Sequence, residues 1–537
     1  MIPIDAVNAP QEHGAATILP QPQKVVQSVR HNVELFRNYC FDIAGQQFTE
    51  LQTLARSELV AAAKQFTGKY RSVSSRLDRE LKDGVQQPIV LAGHQPQLFH
   101  PGVWFKNFAL AKTARQIDGL PINLIIDNDA VNAASLRVPT GTVEQPFVDS
   151  VPFDTKPAAD LPFEEWNIDD RQQFNSFASN VKSSIRQLVP HPLIEEFWPL
   201  VVAAAERTSN IGQCFAEARH QFELQQGIET LEVPLSKIAD GDAFQTFASS
   251  VFADHQRFHQ LYNEELLKYR KEFRVRSATH PAPLLERVDD WWELPFWVWS
   301  SAVPQRRKLF VRCRGDVLEL TDQAGWIERR DRRGREIGKL GRDRDEGDLG
   351  RVAKIRPRAL ITTMYVRLFL GDGFLHGIGG AKYDRLTDRI IAGYWGVEPP
   401  KYAVISATFH LPTGGHKTSL ADLRHAIHKL RALRFHPEDY VDSSEPALGR
   451  MIAEKRKWVA MKLSHGQRKQ RHDSIAAVNA GLFSELQKER AELKNYITET
   501  SNALRLQAIL ESREYSFCLH PRETLFPLLL ELFDFDP

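Results

Sequence analysis

Two widely separated stretches of this chain share one pattern, an apolar run, a glycine-bearing loop and then helical periodicity, and they restrict the fold more than any other feature. Pro88 to Gly93 (PIVLAG) is a short, wholly apolar run ending at glycine; the loop HQPQLFHPG and a helical pattern from Val103 to Ile117 follow. A second apolar run, Ile122 to Ile126, ends in Asp127-Asn128-Asp129. Strand, loop, helix and strand make a βαβ unit, for which a right-handed parallel crossover is expected. Far downstream, IRPRALITTMYVRLFL from Ile355 leads to GDGFLHGIGGAKYDRLTDRIIAGYWG, and Lys401 to Thr408 (KYAVISAT) reads as a further strand. Return of the chain to the first sheet gives a split α/β core.

The rest of the chain arranges itself around that split. Residues 1–87 read as an N-terminal helical lead-in, with Val29, Val33 and Phe36, then Phe48, Leu51, Ala55 and Leu59 at helical spacing. Residues 88–160 are the first half of a Rossmann-like core and 161–280 an α-helical insertion with a strand at Thr230 to Val233. Residues 281–354 form a Trp-rich and charged β-hairpin/loop region, in which KLFVRCRGDVLEL turns near Gly315-Asp316. Its arginine-dense end, Glu328 to Arg351, reads as a solvated loop or an anion-binding arm. Residues 355–418 are the second half of the core. In 419–537, a C-terminal helical and coiled-coil region, the pattern from Ile475 to Glu511 predicts a helical hairpin or short coiled coil.

Composition acts by exclusion. Lys plus Arg number 69 and Asp plus Glu 68 among 537 residues, a net charge of +1, so no global field gathers nucleic acid or anionic lipid. No apolar stretch approaches the ~20 residues of a membrane helix. Met1 to Pro22 lacks the basic start and apolar run of a secretory signal. Cys40, Cys214, Cys313 and Cys518 show neither disulfide nor zinc spacing, so no metal site is expected and a reducing, cytoplasmic compartment is.

The loop Gly93 to Gly102 lies where open α/β sheets bind ligands and where helix N–H groups favour an anion. His94 and His100 are candidate catalytic residues, as donors to a phosphate or carboxylate or as general acid and base. Lys106, one turn into the helix, adds a fixed charge. The alternative is that His94 caps the strand while Phe99, Trp104 and Phe108 pack the core. Asp127 and Asp129, with Asn128 between them, are placed to accept hydroxyls or hold an ammonium; the alternative is a helix cap. The run Gly371 to Asp388 lets backbone N–H groups approach a ligand at Gly379 and Gly380, with Lys382 and Asp384 beside them, yet matches neither the P-loop nor GxGxxG. Arg356 and Arg358 flank Pro357 and suit a carboxylate clamp. The tryptophans at 291, 292, 297 and 299 read as core or pocket wall, and Lys455 to His472 as a solvated basic face. Cys518-Leu519-His520 lacks an orienting acid for a nucleophile role.

In their order these motifs resemble the bacillithiol synthase family, putative cysteine-adding enzymes. GHQPQLFHPGVWFKNFALAKTA (Gly93 to Ala114) is similar to that family's Gly-Gln-Gln loop and helix, and LIIDND (Leu124 to Asp129) to its acidic strand end. NIGQCFAEARHQF (Asn210 to Phe222) follows, and IRPRALITTMYVRLFLGDGFLHGIGGAKY (Ile355 to Tyr383) is similar to its Arg-Pro segment and Gly-Gly turn. The resemblance implies an α/β fold with a Rossmann-like, nucleotidyltransferase-type core, a helical insertion, and a C-terminal coiled coil pairing two subunits as a homodimer. It implies a ligase joining the amine of glucosaminyl malate to the carboxyl of cysteine. By position, His94 and Gln95 fall on the first loop, Asp127 to Asp129 on the acidic strand end, and Gly379-Gly380 on the Gly-Gly turn. Where the family has Pro-Gly-Glu after that turn, this chain has Ala381-Lys382-Tyr383, with the nearest acid at Asp384.

Small-molecule substrates are therefore expected, without nucleic acid or membrane partners. Amide formation from a free carboxylate needs activation, so an acyl phosphate or adenylate fits, with ATP or another nucleotide as its source; the residues leave the cofactor open. Two alternatives stay open. One is nucleotidyl transfer, although His94 to His100 is three residues longer than HxGH spacing. The other is a binding or scaffold protein that keeps the fold without the chemistry.

Overall fold

A six-stranded sheet built from those apolar runs lies at the centre of the larger of two compact units. The structure, a computed structural model, describes residues 7–73, 77, 87–331, 352–415, 418–462 and 467–532. In chain order, the sheet strands and the two helices that frame the site are β1 (Ala15–Leu19), β2 (Ile89–His94), α1 (Pro101–Gln116), β3 (Leu120–Ile125), β4 (Leu231–Pro234), β5 (Gly373–His376), α2 (Ile378–Trp395) and β6 (Ala403–Thr408). The order across the sheet is β1-β6-β5-β2-β3-β4. Strands β2 to β6 run parallel, and β1 pairs antiparallel with β6, Ala15 opposite Thr408. Numbered by chain order, the five parallel strands are arranged 3-2-1-4-5, the order of a doubly wound sheet, and the winding reverses between β2 and β5.

The burial of these strands explains why the sequence shows them. All of β3 and β6 is buried, and β2 is buried except for Gly93. A parallel strand covered on both faces has to be apolar throughout. On one face, Leu91, Ile122, Leu124 and Val233 meet Leu51, Ala55 and Leu59 of helix Phe48–Thr67 in the main core. Asp372 anchors the start of β5: its carboxylate accepts from Arg56 at 2.8 and 3.2 Å and from the Ile89 amide at 2.8 Å.

Several elements fall where the sequence pattern alone does not put them. The 1–87 stretch contains helices Pro22–Arg37 and Phe48–Thr67 but also contributes the edge strand β1. The strand expected at Thr230 to Val233 does not stay within the insertion; as β4 it joins the central sheet beside β3. Helices Arg171–Ile185, Ile194–Ala204 and Ile211–Gln225 precede it, and Asp242–Ala253 and His255–Glu272 follow. No helix follows Asp129; the chain enters the hairpin Ser135–Gly141/Pro146–Pro152 instead.

The Trp-rich segment forms a second sheet in the same unit. Strand Trp291–Ser300 pairs with Val303–Arg314 on one side and Lys354–Pro357 on the other. The hairpin to Val317–Thr321 turns at Gly315, whose φ of +63° suits glycine. Most of the charged stretch from Glu328 to Arg351 lies outside the described residues; its start, Glu328 to Asp331, is the end of strand Ile327–Asp331.

The larger unit comprises Met1–Val138, Asp149–Leu411 and Arg513–Pro537, the smaller one Pro139–Val148 and Pro412–Ser512. In the smaller unit, helix Leu420–Phe435 packs with Gln487–Leu510, and Pro446–Ala460 with Arg468–Glu485, around Leu448, Ile452, Val478 and Leu482. The long pattern from Ile475 to Glu511 divides at Leu486 into two helices. The region 419–537 also does not remain one piece. From Arg513 the chain belongs to the larger unit, because Phe517 fits among Phe99, Trp104 and Phe197 at ring separations of 4.4–5.6 Å.

Among the described residues, no helix is long and apolar enough to cross a membrane.

Candidate functional site

The winding reversal leaves β2 and β5 ending side by side, at His94 and His376. Ligands in doubly wound sheets sit in the crevice beyond such strand ends. His376 shares a sheet face with Phe374, two residues earlier, and its ring lies 4.7 Å from that of Phe374. Its Nε2 stands 3.0 Å from Oδ2 of Asp384, a fully buried residue nearly two turns into α2.

Asp384 is held on all sides. It accepts from Thr363 Oγ1 at 2.6 Å and from Arg367 Nη1 at 2.8 Å. Burial alone would raise its pKa, but the charges of Arg367 and His376 override it and hold the carboxyl well below the usual carboxylate range. Arg367 also donates to Asp388 at 2.6 Å and to the Pro400 carbonyl. A fixed carboxylate behind an imidazole sets the ring's orientation and tautomer.

The expected Gly-Gly turn is the first turn of a helix. Gly377 is the N-cap of α2, no side chain caps it, and no acid stands in the first turn. The N–H groups of an eighteen-residue helix therefore open onto the crevice with the positive end of its dipole. A methyl group added at Gly377 or Gly379 would meet nothing within 4 Å, whereas one at Gly380 would lie 2.2 Å from His376 Nδ1. Space lies in front of the helix, and the imidazole packs against its third residue. Lys382 is half-buried on the next turn, and among the described residues its ammonium has no ion-pair partner.

The acidic end of β3 supplies the opposite wall. Asp129 accepts from Gln95 Nε2 at 2.9 Å, Arg306 Nη1 at 2.9 Å and the Ala130 amide at 2.8 Å, and stays partly exposed. It is near enough to Tyr383 for its charge, after burial and Asp384, to push that phenol's pKa up. Arg306 itself lies over Trp297, 4.7 Å from the ring centroid. Asp127 points elsewhere, into the protein, accepting from the Ser236 amide at 2.9 Å and the Ser236 hydroxyl. Burial, then the charge of Glu164, pushes its pKa up to about 7. Asn128 donates to the Pro357 carbonyl at 2.6 Å and is buried.

The first loop is more structural than its histidines suggest. His94 is buried, with Nδ1 3.2 Å from the Gln95 carbonyl and Nε2 3.3 Å from Asn107 Oδ1. Burial and the charges of Arg219 and Lys106 keep it neutral, with a pKa well below its ordinary value. His100 caps α1, its Nδ1 accepting the Gly102 amide at 3.1 Å, and burial, Arg513 and Lys106 lower its pKa to about 4. Lys106 donates to the Gly93 carbonyl at 2.9 Å, and burial lowers its pKa to about 8. Arg356 is not a vacant clamp: it forks onto Glu164 at 2.9 Å twice and reaches Asp240 at 2.8 Å.

Of the residues singled out from sequence, Gln95, Asp129, Gly379, Gly380, Lys382 and Asp384 are thus brought to the crevice. His94, His100, Lys106, Asp127, Asn128 and Arg356 hold its walls. Sequence reasoning missed His376, Tyr383 and Arg306. His376 had a signal: like His94, it closes an apolar run before a glycine-bearing loop, although GFLH is short.

One set of buried groups has metal-ligand spacing: His220, Glu223 and Glu232 offer atoms within 4.8 Å of one another. Arg219 already donates to Glu223 at 2.6 Å and to Glu232, while Trp104 and Asn107 donate to Glu223. A dication there would face the Arg219 guanidinium already bonded to both carboxylates, so the chemistry fits a structural network joining α1 to β4. A cavity of about 330 Å³ lies elsewhere, between hairpin residues Phe41 to Ala44 and Tyr394-Trp395 at the far end of α2.

No protein-family model matches the chain, and no curated protein is found similar to it.

Proposed function

We propose that this chain is a bacillithiol-synthase-like ligase that joins an amine, of the glucosaminyl malate kind, to a small carboxylate such as cysteine. The observation that carries the reading is the His376–Asp384 pair beside an uncapped, acid-free helix start at the winding reversal. In this account the N–H groups of Gly379 and Gly380 and the Lys382 ammonium bind an anionic substrate group. Asp129, oriented by Gln95 and Arg306, holds the incoming ammonium. His376 takes the proton that the ammonium must lose before its nitrogen can attack. The activated acyl carbon, an acyl phosphate or adenylate formed from ATP or another nucleotide, gains the C–N bond and releases phosphate or a nucleoside monophosphate. The same reading treats the doubly wound sheet as a nucleotidyltransferase-type Rossmann core, the helices of 420–510 as a coiled coil pairing two subunits, and the cytoplasm as the compartment.

Incubating the purified chain with cysteine, glucosaminyl malate and ATP, and following the amide by mass, tests the proposal. Product is expected from the wild type and a loss of about a hundredfold from His376→Asn, within the range of a general base. Amide formation unchanged in His376→Asn and Asp129→Asn would end this assignment. Nucleotidyl transfer has less support, since His94 and His100 both engage protein groups; pyrophosphate release without amide would favour it. A scaffold would bind neither cysteine nor glucosaminyl malate.

A further inference from the structure

Four histidines from four parts of the chain lie near the end of β6 in the larger unit. His520, in the returning C-terminal segment, is 2% exposed and its Nε2 has no hydrogen-bond partner. After burial, the charges of His13, His410 and His100 lower its pKa to about 3. The link is also geometric. The Phe517 amide donates to the Phe99 carbonyl at 2.9 Å, next to His100. Arg513 donates at 3.3 Å to the Ala407 carbonyl, the atom against which Gly102 packs. The rings of His13 and His410 are 5.9 Å apart.

Tautomers decide what this cluster can bind. His13 Nδ1 accepts the His410 amide at 2.9 Å, and His100 Nδ1 accepts the Gly102 amide at 3.1 Å. A neutral imidazole with its lone pair occupied at Nδ1 carries its proton at Nε2. The free edges of His13 and His100 are therefore donors, which excludes them as metal ligands while those backbone bonds hold. Burial keeps His13 neutral, and burial with Arg513 and Lys106 does the same for His100. Positive charge comes from Arg513, partly offset by exposed Glu514 at 3.3 Å, and from Lys106. Exposure falls from His13 at the rim, through half-buried His410 and His100, to buried His520.

We infer that His13, His100, His520 and Arg513 form a binding site for a tetrahedral oxyanion, the phosphoryl group of inorganic phosphate or of a nucleotide. Several donors from separate elements suit an anion with oxygens in several directions, and a planar carboxylate would leave some unused. The inference does not depend on the ligase reading. The donors are the Nε2–H groups of neutral His13 and His100 and the Arg513 guanidinium, so binding does not require imidazolium.

Calorimetric titration of the full chain with inorganic phosphate, and separately with ATP, tests this. Binding of inorganic phosphate that does not need Lys382 is expected. Arg513→Gln and His520→Phe should each weaken it about tenfold, while Lys382→Gln leaves it unchanged. Should His520→Phe fail to fold, the half-buried Arg513 position decides. Binding of ATP alone assigns the site to a nucleotide's phosphoryl group; binding of both assigns it to phosphate in general. No binding of either by the wild type, equal binding by Arg513→Gln, or loss in Lys382→Gln instead would overturn the inference.

Discussion

His376 Nε2 and Asp384 Oδ2 stand 3.0 Å apart, and a side chain with no exposure joins them to Arg367 and Thr363. The imidazole is fixed from behind, while its Nδ1 packs against Gly380 at the start of α2. Replacing the acid by Asp384→Ala strands the buried Arg367 guanidinium and frees the imidazole. A loss of about 3 kcal/mol in urea unfolding is expected, as for one removed partner of a buried pair. An unchanged midpoint would show that the pair is not formed.

The glycines of α2 separate packing from ligand space. Gly380→Ala puts its methyl 2.2 Å from the histidine bonded to Asp384, so the imidazole can make room only by giving up that bond, and activity should fall. Gly379→Ala meets nothing within 4 Å and should raise stability by up to ~1 kcal/mol through helix propensity. Because that open space is where substrate binds in this account, its substrate KM should still rise. Thermal melts beside steady-state kinetics check both.

Acid should destabilise the protein well before its carboxylates titrate. His94, His100, His220 and His520 all have pKa values lowered by burial, to about 4 for His100 and about 3 for His520. Between those values and ~6.5, the unfolded chain binds protons that the folded chain refuses, so stability falls as pH drops through that window. Asp127 and Glu232, each pushed up to about 7 chiefly by burial, have the opposite sign. They hold protons in the folded state that the unfolded state releases, so their contribution is lost as pH rises toward 7. Four imidazoles outweigh these two on the acid side. Denaturant midpoints between about pH 4 and pH 7 should rise with pH, and less steeply in His100→Gln.

Phe517 fastens the first loop from outside, its ring 4.4 Å from Trp104 and its amide bonded to the Phe99 carbonyl. Phe517→Ala should cost about 3–4 kcal/mol, the usual penalty for emptying an aromatic site in a core. Urea unfolding of this variant measures that change.

The parallel strands are legible because burial on both faces leaves a wholly apolar run, as in PIVLAG and KYAVISAT. Strand β1 is not, since AATIL at the sheet edge is half-buried and sits among prolines and glutamines. The return of Arg513 onward is also hidden, because its buried run, Tyr515 to His520, mixes polar with apolar residues and its partners are remote in sequence. At the site, glycines and strand-end acids are visible as residue types. Their division into Asp129, facing the crevice, and Asp127, facing Ser236, depends on side-chain direction at the end of a strand, which spacing alone does not resolve. Arg306 and Tyr383 reach the site only through folding of a second sheet and a helix.

The central claim is that the start of α2 holds the anionic end of a small substrate. Calorimetric titration of glucosaminyl malate into the wild type, Gly379→Val and Lys382→Gln measures it most directly. The account predicts binding by the wild type and an affinity lower by about tenfold or more in both variants, as loss of a charge-assisted contact requires. Equal affinities in all three proteins, or no binding by a folded wild type, would contradict it.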